Sequence, residues 1–153
     1  MDEAAVVRYI AATYPDADVL TQGNGTYFSC DREKHWPNFA TLVTSDEFDG
    51  ETDDKGTWIP RSFSDLDRPG AYRLNIGLSK ATFDAAVAGV TDPDYTAFDR
   101  VMPHPVYGTQ HWVCILNPSE ATFDKVVKPL LDEAHGRVAR GYRKVATEQA
   151  TRE

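Results

Sequence analysis

The sequence predicts an α+β fold: an antiparallel, meandering sheet with helices packed on one face, a two-layer sandwich. Three observations carry this. Strand-like runs follow one another across short Gly/Asn turns near the N-terminus, as hairpins require. "AYRLNIGL" (Ala71–Leu78) alternates apolar and polar residues with the period of a half-buried strand. Two segments, one near each end of the chain, carry apolar stripes at helical spacing.

In chain order, Asp2 caps a first helix in which Val6, Val7, Ile10 and Ala11 share a face and Pro15 ends the element. "DVLTQ" and "TYFSCD", joined through Gly23-Asn24-Gly25, form a hairpin, and "FATLVTS" (Phe39–Ser45) supplies a third strand rich in β-branched residues. Residues 46–70 then change character, with eight acids, three glycines and two prolines. Excursions of that length are uncommon inside compact domains and are usually functional or mobile. Phe48, Trp58, Ile59 and Phe63 give this one apolar anchors, so part of it packs down, and it reads as an acidic excursion with an aromatic anchor, not as a domain linker.

In the strand after it, Tyr72, Leu74, Ile76 and Leu78 point to the helices, and Arg73, Asn75 and Gly77 point away. Ser79 opens a second helix that ends near Gly89, and "DPDYTAFDR" reads as a short helical turn. "HPVYGTQHWVCIL" (His104–Leu116) reads as a hairpin turning at Gly108-Thr109, with Pro103 and Pro105 holding its first arm to an edge. In that register His104 faces Val113, the two histidines share a face, and Trp112, Cys114 and Leu116 take the core face. A final helix starts at Ser119, with Pro129 kinking it or starting a second one. "SKATFD" and "SEATFD", 40 residues apart, read as one recurring helix start: a Ser cap and a Phe dropped onto the core. Residues 1–146 form a single domain and 147–153 a frayed tail.

Composition narrows the function. The formal charge is −8, all of it in residues 1–70, where 14 acids meet 6 bases; residues 71–153 carry 10 of each. Such a surface repels phosphate backbones and anionic membranes, so neither nucleic acid nor a membrane is an expected partner. No apolar run approaches the ~20 residues of a membrane span, and "MDEAAVVRYIAATYP", without a cationic segment before a long apolar one, is not expected to be a signal or transit peptide. With Cys30 and Cys114 read as buried free thiols, the expected location is the cytoplasm, as monomer or homodimer.

Neighbouring strands would gather Arg73, Asn75, His104, Tyr107 and His111 on one surface, with Thr41 or Val43 as floor and Trp58 as roof. A cation, an amide and two imidazoles suit a small polar or anionic ligand. An alternative is an enzyme with His104 or His111 as general acid or base and Arg73 as anion clamp. A third reading is a protein–protein interaction module built on the acidic loop. The four histidines show no metal-ligand spacing, and no nucleotide-binding, hydrolase or calcium motif occurs, so no metal and no cofactor is expected.

"RLNIG" (Arg73–Gly77), Asp94–Phe123 and "PLLDEAH" (Pro129–His135), together with "FATLVT" and "DLDRPGAYRLNIG", resemble an actinobacterial family of small uncharacterised proteins, a domain of unknown function. The resemblance spans nearly the whole chain and implies size, fold and a cytoplasmic location rather than a reaction. The strand ending "HWVCIL" and the long helix after it are similar to the MmcQ/YjbR-like α+β fold.

Overall fold

Helix α1 (Glu3–Thr13) begins where Asp2 accepts a hydrogen bond from the Ala5 amide at 2.9 Å, and it buries Val6 and Ile10. Strands β1 (Asp18–Gln22), β2 (Gly25–Ser29) and β3 (Asn38–Val43) follow as a meander, then β4 (Gly50–Thr52) and β5 (Trp58–Pro60) as a separate ribbon. Next come β6 (Arg73–Gly77), α2 (Lys80–Ala86), β7 (Met102–Pro103), β8 (Trp112–Leu116), α3 (Glu120–Thr122) and α4 (Lys128–Arg152). The computed structural model describes residues 1–152.

Six strands form one sheet in the order β1-β2-β3-β6-β8-β7, every neighbouring pair antiparallel. The fold is therefore α+β, with a sheet that meanders through its first three strands. On one face Leu42, Leu74, Ile76, Val113 and Ile115 meet Val6, Ile10, Phe123, Val127 and Leu131 in the main core. Burying each such side chain stabilises the fold by about 1.5–3 kcal/mol relative to leaving it in water.

Both "S-x-A-T-F-D" segments act as helix starts. Ser79 Oγ accepts from the Thr82 amide and Ser119 Oγ from the Thr122 amide, each at 3.2 Å. Phe123 is then fully buried, while Phe83 packs at the margin of the core. Pro129 is accommodated without ending the helix. A π-helical turn over Phe123–Val127 lets the Lys128 amide bond the Phe123 carbonyl, so the wider ring of bonds closes just before the residue that has no N–H to offer. The helix continues through the stretch read as a frayed tail, to Arg152; Glu153 lies outside the described residues. "DPDYTAFDR" makes one hydrogen-bonded turn, Ala97 N to Asp94 O at 3.1 Å, and then an isolated parallel bridge from Phe98 to Leu116, not a helix.

The second sheet face, read as open to water or to a ligand and the acidic loop, is roofed by that loop, though not through Trp58. Val43, Leu66, Ala71, Met102, Cys114 and Leu116 form a smaller core there, with Phe48 and Tyr95 packed against it. The acidic segment supplies the cover. Asp46 accepts from the Leu66 amide at 3.0 Å, and Arg68 donates to the carbonyls of Ser64 and Thr96 at 2.9 Å each while its guanidinium lies 4.5 Å from the Phe98 ring. Burial pushes the Cys114 thiol in this layer up to about 12.

The hairpin register also differs. Met102 pairs with Cys114 and Pro103 with Val113, one residue away from the predicted pairing of His104 with Val113. The cause is the turn: Gly108–Gln110 forms a 3-10 turn closed by His111 at φ +69°, in place of a two-residue loop. A slip of one residue exchanges the two faces of a strand. Val113 and Ile115 therefore face the helices, and Trp112, Cys114 and Leu116 face the acidic segment, the reverse of the sequence reading. The edge placement of the Pro103 arm agrees with expectation. Among the described residues, no helix is long and apolar enough to cross a membrane.

Leu131 is fully buried between α4 and the sheet. Leu131→Ala is expected to lower unfolding free energy by about 2–5 kcal/mol, read as a drop in urea midpoint at unchanged slope.

Candidate functional site

Strand β6 places Arg73, Asn75 and Gly77 on the sheet face away from the helices, as its alternation predicts. Arg73 is nevertheless 1% exposed, so its charge needs a partner inside the protein. Asp49, also 1% exposed, provides it. The two form a bidentate pair, Nη1 to Oδ2 at 2.6 Å and Nη2 to Oδ1 at 2.9 Å. Nη1 also donates to Ser64 Oγ at 3.0 Å, and Nε donates to Asn75 Oδ1 at 2.9 Å. Asn75 in turn donates to Thr41 Oγ1 at 3.0 Å. Asp49 and Ser64 both come from the acidic segment.

His104 completes the cluster. Its Nδ1 receives the amide N–H groups of Val106 and Tyr107, both at 3.0 Å, which makes Nδ1 the unprotonated nitrogen and leaves the ring proton on Nε2. Nε2 stands 3.3 Å from Arg73 Nη2, so two donors face each other. Burial, and then the Arg73 charge, lower the His104 pKa from 6.5 to about 3. At neutral pH this imidazole is uncharged. It does not change protonation state in the range where the sequence suggested acid–base work.

Above the cluster lies a pocket of about 380 Å³. Tyr27, Trp36, Phe48, Tyr107 and Trp112 give it aromatic walls; Asn38, Thr41, Asn75 and Gln110 give it amides and a hydroxyl; Asp49, Arg73 and His104 line it from below. The volume is within the range of small-ligand sites. Trp36 is 67% exposed and Tyr107 44%, large rings left in water at a pocket rim. Trp112 reaches the pocket because its partner across the ladder is Gly77: a Cβ added there would lie 2.9 Å from the indole.

Four of the six residues proposed from sequence meet here: Arg73, Asn75, His104 and Tyr107. His111 and Trp58 do not line this pocket. His111 closes the 3-10 turn and its ring packs 5.6 Å from Phe83, so the predicted diagonal pair with His104 does not form. Trp58 lies over Gly50 in the β4–β5 ribbon, where an added Cβ would come within 2.5 Å of its ring. Asp49, Ser64, Tyr27, Trp36, Asn38, Gln110 and Trp112 were missed. Tyr27 was within reach, since it pairs with Thr41 and shares that face by simple alternation. The need for Asp49 was implied by any strand Arg that becomes buried.

The structure defines a two-layer α+β protein whose roofed sheet face carries a polar, aromatic-walled pocket over a buried ion pair. The chain belongs to the family of unknown function DUF6194, whose family model matches residues 1–147. No curated protein and no solved structure matches the chain.

Two measurements check this electrostatic account. Asp49→Ala leaves a buried guanidinium uncompensated and is expected to cost about 3–5 kcal/mol in urea unfolding. Because the folded His104 pKa lies below its unfolded value, the unfolded chain binds the extra proton between about pH 6.5 and 3. The His104 contribution is complete above that window and is lost as pH falls through it, on the order of a few kcal/mol. Denaturation across the window should show this slope, and His104→Asn should flatten it.

Proposed function

We propose that this protein binds a small polar molecule in the pocket over the Arg73–Asp49 pair, in the cytoplasm. The observation that carries the reading is the meeting of two donors, His104 Nε2–H and Arg73 Nη2, at 3.3 Å beneath a cavity of about 380 Å³. An oxygen acceptor lodged against both relieves their conflict and gains two hydrogen bonds, one of them charge-assisted. Asp49 already balances the Arg73 charge, so the acceptor can be a carbonyl or hydroxyl as readily as a carboxylate. Trp36, Tyr107 and Trp112 favour a ligand with a flat or ring-shaped face, and Asn38 and Gln110 offer paired donors and acceptors for its edge. Two unpaired buried cysteines accord with a reducing compartment.

Nucleobases, aromatic carboxylates and monosaccharides form the test panel, screened by thermal shift and followed by isothermal titration. At least one class should bind with 1:1 stoichiometry, and Tyr107→Ala, at the exposed rim, should weaken it about tenfold while leaving the unliganded melting temperature unchanged. Absence of binding across the panel, or affinity indifferent to both Tyr107→Ala and Gln110→Ala, would overturn the proposal.

A further inference from the structure

A second constellation lies away from the pocket. Asp16 precedes β1, Cys30 follows β2 and His135 lies on α4, and one donor atom from each falls within 4.8 Å of the other two. The imidazole is fixed in place. It stacks on Tyr14 at 4.3 Å, meets the Phe39 ring edge-on at 5.3 Å, and its Nε2 lies 2.8 Å from Asp16 Oδ1. Tyr14 is itself anchored, its hydroxyl donating to Asp132, one turn before His135 on the same helix, at 2.5 Å. Cys30 is 7% exposed and has no disulfide partner.

We propose that Asp16, Cys30 and His135 bind a divalent cation of the zinc class, with water in the fourth position. A carboxylate oxygen, an imidazole nitrogen and a thiolate are the donors that zinc accepts, and the thiolate disfavours magnesium and calcium, which take oxygen. Tetrahedral zinc with bonds of about 2.0–2.3 Å sets its donors roughly 3.3–3.8 Å apart. The donors already lie within 4.8 Å of one another, so an adjustment of about 1 Å, shared between the Cys30 side chain and the half-exposed Asp16 side chain, brings them to that spacing. The fourth side opens on a cleft of about 770 Å³, lined by Asp16 and Cys30 together with Asp31, Glu33 and Arg143, so solvent reaches the metal. Three protein ligands and one open position are the pattern of a site that presents a bound water, whereas a purely structural zinc is enclosed by four. The thiol surrenders its proton to solvent as the metal binds. A His–Asp hydrogen bond alone would be an ordinary surface pair; the buried thiol beside it changes the chemistry.

Tag-free, metal-stripped full-length protein is titrated with Co²⁺. One equivalent should bind, with the visible bands of four-coordinate cobalt and a near-ultraviolet thiolate-to-metal charge-transfer band, and Zn²⁺ should displace it. Cys30→Ser should remove the charge-transfer band. Asp16→Ala, at a side chain that contributes no core packing, should weaken binding by tenfold or more, since even outer-shell losses cost about 10–100-fold. Failure to bind, a cobalt spectrum without the charge-transfer band, or equal affinity in Asp16→Ala would overturn the site. Neither result depends on a ligand in the sheet pocket.

Discussion

The arrangement of the second sheet face depends on one buried charge. Arg73 sits in a central strand, with β3 on one side and β8 on the other, and its side chain is 1% exposed, reached only from the pocket. A lone charge there would cost much of the marginal stability of a domain. Asp49 must therefore be present, and so must the segment that carries it. The acidic stretch 46–70 is covalently long but spatially pinned: Asp49 and Ser64 hold the guanidinium, Leu66 enters the small core, and Arg68 ties the returning chain to residues 96–98. Its ordering follows from the requirement of Arg73, more than from any propensity of its own.

A surface so built has an unusual electrostatic character. The pair cancels itself, His104 stays neutral beside it, and the amides of Asn75, Asn38 and Gln110 provide orientation without net charge. An acidic protein thereby keeps a pocket that neither repels nor strongly attracts ions. For the ligand proposed above, selectivity would rest on hydrogen-bond direction and aromatic shape, both of which act only at contact distance.

Local periodicity carried most of what the sequence revealed. The alternation of β6 assigned Tyr72, Leu74 and Ile76 to the core and Arg73 and Asn75 to the other face, and the Ser caps located both helix starts. The most consequential miss was a single turn. Tyr-Gly-Thr-Gln satisfies the chemistry of a two-residue hairpin, but His111 adopts a left-handed conformation that local preference does not foretell, and the added residue reversed the faces of β8. His104 still reached the Arg73 surface, because its own arm moved with the slip. The partners from afar were beyond local reading. Asp49 was one of eight acids in its segment, and nothing in the spacing of 16, 30 and 135 announces that those residues meet.

Gly77 has a consequence for the width of the pocket. The Trp112 indole lies over the position a side chain would occupy, so one wall is set by an absence across the ladder. That couples aperture to a residue remote from the ion pair. A methyl group at this point would come within 2.9 Å of the indole, and that wall would have to shift. Within one fold, the width of the pocket can therefore change independently of its polar floor.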